Sequence, residues 1–159
     1  MFFYKAIQHL FTLIMLFLLT CCTLSSKEKD LKQTAENFAL NLYSWQLDHA
    51  MNQCTPSSKK AIQFLASNLS EQDVELIQAQ EAFPEVEVSF DKPQKEDTLV
   101  TIYIKVQGAL LMKQLGKPLQ PTDNAYFSVN MIYRYNEWKA DALSIKEYAN
   151  KPPRDEIRH

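Results

Sequence analysis

The chain has 159 residues, with 17 Lys and Arg against 19 Asp and Glu, a formal net charge of −2, and two glycines. A balance this close to neutral leaves no electrostatic footprint for nucleic acid or for an anionic membrane surface, and two glycines exclude a phosphate-cradling loop. Three cysteines do not make a disulfide framework, and the residues offer no cofactor pattern.

Taken in order, the first residues read as an address. Lys5 precedes a hydrophobic run from Leu10 to Leu19, and Cys21-Cys22 follow. A charged start, an apolar middle and small residues at the end are the grammar of a secretory signal. The terminal cysteines point to the bacterial lipoprotein version, in which a diacylglyceryl thioether forms on the first mature residue. Residues 1–21 are therefore expected to be a signal, with Cys21 or Cys22 lipidated. Thr20 or Cys21 stands where the usual motif has Ala, Gly or Ser. The competing reading is an uncleaved anchor helix, but the apolar run is short against the ~20 residues that span a bilayer. Residues 22–29 read as a polar tether of mixed charge. Without an acidic run there, the periplasmic side of a bacterial cell envelope is favoured over surface display.

About 135 residues remain, enough for one domain with a core, assigned to 30–149 with a polar tail at 150–159. Asp30 reads as a helix N-cap. Leu31, Ala35, Phe38, Ala39 and Leu42 follow at three- and four-residue spacing. Trp45, Leu47, Ala50, Met51 and Cys54 suggest a bend and a short second helix. Thr55-Pro56 restarts a third, Thr as cap and Pro in the first turn. Ser70 and Asp73 form a capping-box pattern that opens a fourth, and Pro84 ends the helical region. Val86, Val88 and Phe90 alternate with Glu87 and Ser89 as a first strand, and 91–97 is a charged turn.

Two long strand-like runs and a short third then occupy Thr98 to Ile145. Val100, Ile102, Ile104 and Val106 alternate with Thr101, Tyr103, Lys105 and Gln107, the period of a strand with one covered face. Phe127, Val129, Met131, Tyr133 and Tyr135 are expected to face inward, with a tight hairpin at Asn136-Glu137 and Trp138, Ala140 and Ala142 inward on the return. Gly116, Pro118 and Pro121 make Leu110 to Asn124 an extended loop with strand persisting to Lys113, and Leu115 and Leu119 fold over the open end. The class is α+β: N-terminal helices packed on a curved antiparallel sheet of about four strands.

This order of elements, with Asp48-His49-Ala50 and Thr55-Pro56 in the helices and Asn136-Glu137-Trp138-Lys139 at the last hairpin, resembles the nuclear transport factor 2-like superfamily. It is similar more narrowly to small bacterial lipoproteins of Bacteroides type, over about Leu31 to Ile145. The resemblance implies a helix-covered cone with a pocket inside and a tendency to dimerise through the exposed sheet face. It implies no chemistry, because that superfamily holds enzymes, binding modules and structural domains alike.

The candidate chemistry is thin. His49 and Cys54 are five residues apart, on different faces if they share one helix, and two ligands are too few for zinc. Cys54 reads as a small buried hydrophobe, and no metal site is expected. A cone enzyme would need an inward acid or base, whereas the inward polar residues on the strands are Tyr133 and Tyr135. With Trp138 these make the expected pocket. Tyr103, Lys105, Tyr126, Asn130 and Arg134 make the expected interaction face, polar but rich in tyrosine. The sequence therefore suggests a membrane-tethered domain that binds or assembles, as a homodimer or with an envelope protein, without catalysis. The alternative is an isomerase- or dehydratase-like enzyme acting on a small hydrophobic molecule.

Overall fold

The structure, a computed structural model, describes residues 26–94 and 96–150. Helix α1 occupies 26–43. It is followed by α2 (Leu47–Asn52), α3 (Pro56–Ser67) and α4 (Glu71–Gln78), then strands β1 (Glu85–Phe90), β2 (Leu99–Leu111), β3 (Gln120–Arg134) and β4 (Glu137–Tyr148). The strands form one antiparallel sheet in the order β1-β2-β3-β4, so the expected α+β architecture holds. The signal, Cys21 and Cys22 lie outside the described residues, as does most of the polar tail. Among the described residues no helix is long and apolar enough to cross a membrane.

The core lies between α1 and one sheet face. Leu31, Ala35, Phe38, Ala39 and Leu42 are all buried, as their spacing requires of a helix with one apolar stripe. Opposite them lie Val100, Ile102, Ile104 and Val106 of β2, Phe127, Val129 and Met131 of β3, and Trp138 and Ala140 of β4. The period-two alternation thus puts its apolar half under the helices.

Helix α1 begins earlier than expected. Residues 26–30 are already helical, so Asp30 is an interior residue rather than an N-cap, and the expected tether at 22–29 overlaps the helix. Asp30 is exposed there, so its carboxylate stays in water. The chain then bends at Trp45, whose φ is +61°, and α2 follows. Residues 53–55 run beside β4: Ala140 N–H donates to the Gln53 carbonyl at 2.8 Å and Thr55 N–H to the Ala140 carbonyl at 2.9 Å. Thr55 and Pro56 do start α3, but the Thr55 side chain caps no backbone N–H. Its hydroxyl is bonded instead to Ser58 Oγ at 2.8 Å.

Ser58 is fully buried because it fills an irregularity in β4. The β3–β4 register shifts between Ser128 and Asn130, which frees backbone groups of β4. Ala142 N–H donates to Ser58 Oγ at 2.9 Å, and Ser58 Oγ–H donates to Asp141 Oδ1 at 3.0 Å. Asp141 is therefore tied to α3. The capping box at α4 forms as read: Asp73 N–H donates to Ser70 Oγ, and Ser70 N–H to Asp73 Oδ2.

Three strand boundaries differ from expectation. β4 is a long strand of 12 residues, not a short one. β3 begins at Gln120, so the loop between the long strands shrinks to 112–119. Pro121 is tolerated inside β3 because β4 ends at Tyr148 opposite Tyr126, leaving that part of β3 with β2 as its single neighbour. The last hairpin turns on Tyr135 and Asn136, one residue earlier than read. Their φ values of +52° and +66° are those of a type I′ turn, whose twist matches the flanking strands.

Candidate functional site

The two ends of the sheet are built differently. Where β2 starts and β3 turns into β4, the aromatic residues are packed and bonded. Tyr133 and Trp138 lie with ring centroids 5.0 Å apart, and Lys27 Nζ of α1 stands 4.4 Å from the Tyr133 ring centroid. Trp138 Nε1–H donates to the Lys27 carbonyl at 3.1 Å, and Lys27 Nζ donates to the Asp97 carbonyl at 2.7 Å. The Tyr133 hydroxyl donates to Asn136 Oδ1 at 2.8 Å. This end is closed.

The expected pocket of Tyr133, Tyr135 and Trp138 falls at that closed end and needs correction. Trp138 is 2% exposed and fills the core, while Tyr135 is 97% exposed. Tyr135 does not face inward because it occupies the turn rather than the strand. Strict alternation carried one residue too far gave the wrong side.

At the other end lies a cavity of about 320 Å³, near the small limit of the ~300–1,000 Å³ usual for ligand sites. Five elements contribute to it. α1 and the bend after it supply Leu42, Tyr43 and Trp45, and α3 supplies Ala61, Ile62, Phe64 and Leu65. β2 and its following loop supply Leu110 to Lys113 and Leu115; β3 supplies Phe127, and β4 supplies Ala142, Ile145 and Glu147.

Local sequence explains why this end stays open. Gly108 takes a φ of +69° that suits glycine. Beyond it the inward-outward alternation of β2 breaks, and Ala109, Leu110 and Leu111 are all buried. Trp45, turned by its own positive φ, donates Nε1–H to the Leu110 carbonyl at 2.9 Å. One wall is thus fixed by a directed bond to the bend that follows α1. The 112–119 loop is pinned separately, because buried Asp73 accepts the Leu119 N–H at 2.7 Å. That bond, followed by those from Ser70, holds the Asp73 carboxyl below its ordinary value. Leu119 is buried as the reading of the loop implied, whereas Leu115 is exposed on the lip of the cavity.

The polar groups of the cavity are few. Tyr43 is 7% exposed, with its ring stacked on Phe127 at 4.8 Å between centroids. Burial first, and then the charge of Glu147, push its hydroxyl well above the ordinary tyrosine value. Among the described residues no protein group bonds that hydroxyl. Lys113 and Glu147 pair at 2.6 Å, both partly exposed. Phe64 and Leu115, each more than half exposed, put carbon at the mouth.

The expected interaction face is contiguous on the opposite side of the sheet. Lys105 pairs in register with Tyr126, Tyr103 with Ser128, and Thr101 with Asn130. Several of its polar groups are bonded within the face: Thr101 Oγ1–H donates to Asn130 Oδ1 at 2.9 Å, Lys105 meets Glu87 at 3.4 Å, and Ser128 and Tyr148 hydroxyls lie 3.1 Å apart. Arg134 is exposed at the hairpin. His49 is exposed and Cys54 is 2% exposed. Burial pushes the Cys54 thiol up to about 12, so it carries no thiolate near neutral pH. Among the described residues no three His, Cys, Asp or Glu side chains converge as a metal site requires.

Comparison with protein-family models, with curated proteins and with solved structures finds no match.

Proposed function

We propose that this chain is an exported cell-envelope domain, tethered to a membrane by lipid on Cys21 or Cys22, that binds a small apolar molecule. The cavity between α1, α3 and the far end of the sheet carries this reading. An apolar void with a few convergent polar groups is the usual form of a small-molecule site. The nuclear transport factor 2-like resemblance belongs to the same reading, supported by the helix-covered antiparallel sheet and a pocket between its layers.

Binding is favoured over turnover by the state of the polar groups. Lys113 and Glu147 neutralise each other, and the Tyr43 hydroxyl keeps its proton at neutral pH. Among the described residues that line the void, the one carboxylate, Glu147, is paired with Lys113 rather than free to abstract a proton. The outer sheet face ranks second as a binding surface, because several of its side chains already bond one another.

Residue 27 lies at the closed end and Tyr43 at the cavity, about 24 Å apart along α1 at ~1.5 Å per residue. The test has two parts. Metabolic labelling with a fatty-acid analogue should mark the wild-type protein, and the label should vanish when Cys21 and Cys22 are both replaced; label that persists contradicts the anchor. The neutral fluorophore N-phenyl-1-naphthylamine should bind with one site, and Ala61→Trp, which fills the void, should abolish that site. Equal binding by both proteins contradicts the cavity.

A further inference from the structure

We propose that the ligand is an uncharged amphiphile, an apolar chain or ring bearing one hydrogen-bond-accepting oxygen, and that the Tyr43 hydroxyl donates to that oxygen. This inference rests on the cavity reading above and names the chemical class the cavity takes.

Three observations carry it. The first is the donor. Tyr43 is more than nine-tenths buried, lines the void, and has no bond to its hydroxyl among the described residues. Among the described residues that hydroxyl is not one of the fully buried polar atoms left without a partner, so its oxygen opens onto the void, where whatever fills the void takes its bond. Burial and the nearby Glu147 keep the phenol protonated, so it can always donate.

The second is the charge at the mouth. Lys113 and Glu147 both line the cavity and satisfy each other at 2.6 Å. A ligand carboxylate reaching for Lys113 would arrive beside Glu147, and a ligand ammonium reaching for Glu147 would arrive beside Lys113. Either ion meets a like charge and must also leave water for an apolar site. A neutral oxygen escapes both costs.

The third is the remaining lining. Leu42, Ile62, Leu65, Leu111 and Ile145 offer only carbon, and Trp45 has already committed its N–H to the Leu110 carbonyl. Among the described lining side chains, the neutral donor left to the ligand is the Tyr43 hydroxyl, and most of the contact is burial of apolar surface.

The experiment uses three ligands of equal chain length: 2-decanone, decanoate and decylammonium. Each is titrated against N-phenyl-1-naphthylamine on the full chain in nanodiscs. The Ala61→Trp chain in identical discs is the blank, replaced by Leu65→Trp should the first lower Tm. The ketone should displace the fluorophore at least about tenfold more tightly than either ion. Tyr43→Phe should weaken the ketone about threefold to tenfold, the loss expected for one net hydrogen bond, while fluorophore binding is retained. Displacement by either ion as tight as by the ketone overturns the ligand class and leaves the cavity reading standing. An unchanged ketone affinity in Tyr43→Phe overturns the role of Tyr43. A fluorophore signal no greater than the blank overturns the cavity reading and this inference together.

Discussion

The closed and open ends of the sheet use the same residue types to opposite effect. At the closed end Trp138 and Tyr133 meet the Lys27 side chain, and the indole N–H finds a helix carbonyl. At the open end Trp45 also spends its N–H on a carbonyl, that of Leu110. There the bond holds a wall in place beside a void. The difference lies in what α1 delivers. At residue 27 it brings a long flexible lysine over the aromatic rings, filling the end. Its last turn brings Leu42 and Tyr43, which line the opposite end without closing it. A single helix can therefore seal one end of a sheet and frame a pocket at the other.

The largest way to break this comparison is to empty the closed end. Trp138→Ala should lower unfolding free energy by about 3–5 kcal/mol, the usual loss for a buried aromatic, measured by urea denaturation of the full chain. A loss under about 1 kcal/mol would mean that the closed end is not packed as described.

A second test releases the loop at the open end. Asp73 accepts N–H groups from Leu119 and Ser70, so its folded carboxyl lies below the ordinary value of 3.8. A lowered carboxyl stabilises the fold above the unfolded value, and that contribution disappears as pH falls through the folded value. Wild type should therefore exceed Asp73→Asn in Tm near neutral pH, and the gap should shrink as pH drops below about 4. A gap independent of pH contradicts the assigned role of the carboxylate.

The hairpin at the closed end allows a stabilising change. Tyr135→Gly should raise stability by about 0.5–1 kcal/mol, because glycine takes the positive φ there without cost. A clear loss would show that the exposed tyrosine ring has a packing role. The smallest expected effect is at the open lip. Phe64→Gln should change stability by no more than about 0.5 kcal/mol, as exposed positions do, while weakening fluorophore binding severalfold.

The comparison also shows what was legible from residues alone. The apolar stripe of α1 and the alternation in β2 could be read because burial on one side leaves a period in the sequence. The capping box of α4 was legible because its two partners sit three residues apart. The hairpin slipped by one residue because Tyr and Asn supplied the positive φ where Asn-Gly would have announced itself. That slip put Tyr135 on the wrong side of the sheet and drew the expected pocket to the wrong end. Tyr43 and Glu147 were missed for another reason: their meeting depends on α1 and β4, over a hundred positions apart in the chain. One signal was available in Gly108, one of only two glycines, placed within a strand where it breaks the alternation.

Methyl-resolved NMR of the full chain in nanodiscs, with and without N-phenyl-1-naphthylamine, tests the central claim most directly. Leu42, Ile62, Leu65 and Ile145 at the open end should shift with a common Kd, while Leu31 and Val100 near the closed end should stay in place. Shifts centred on Leu31 and Val100, or on Ile132 of the outer face, would contradict the account.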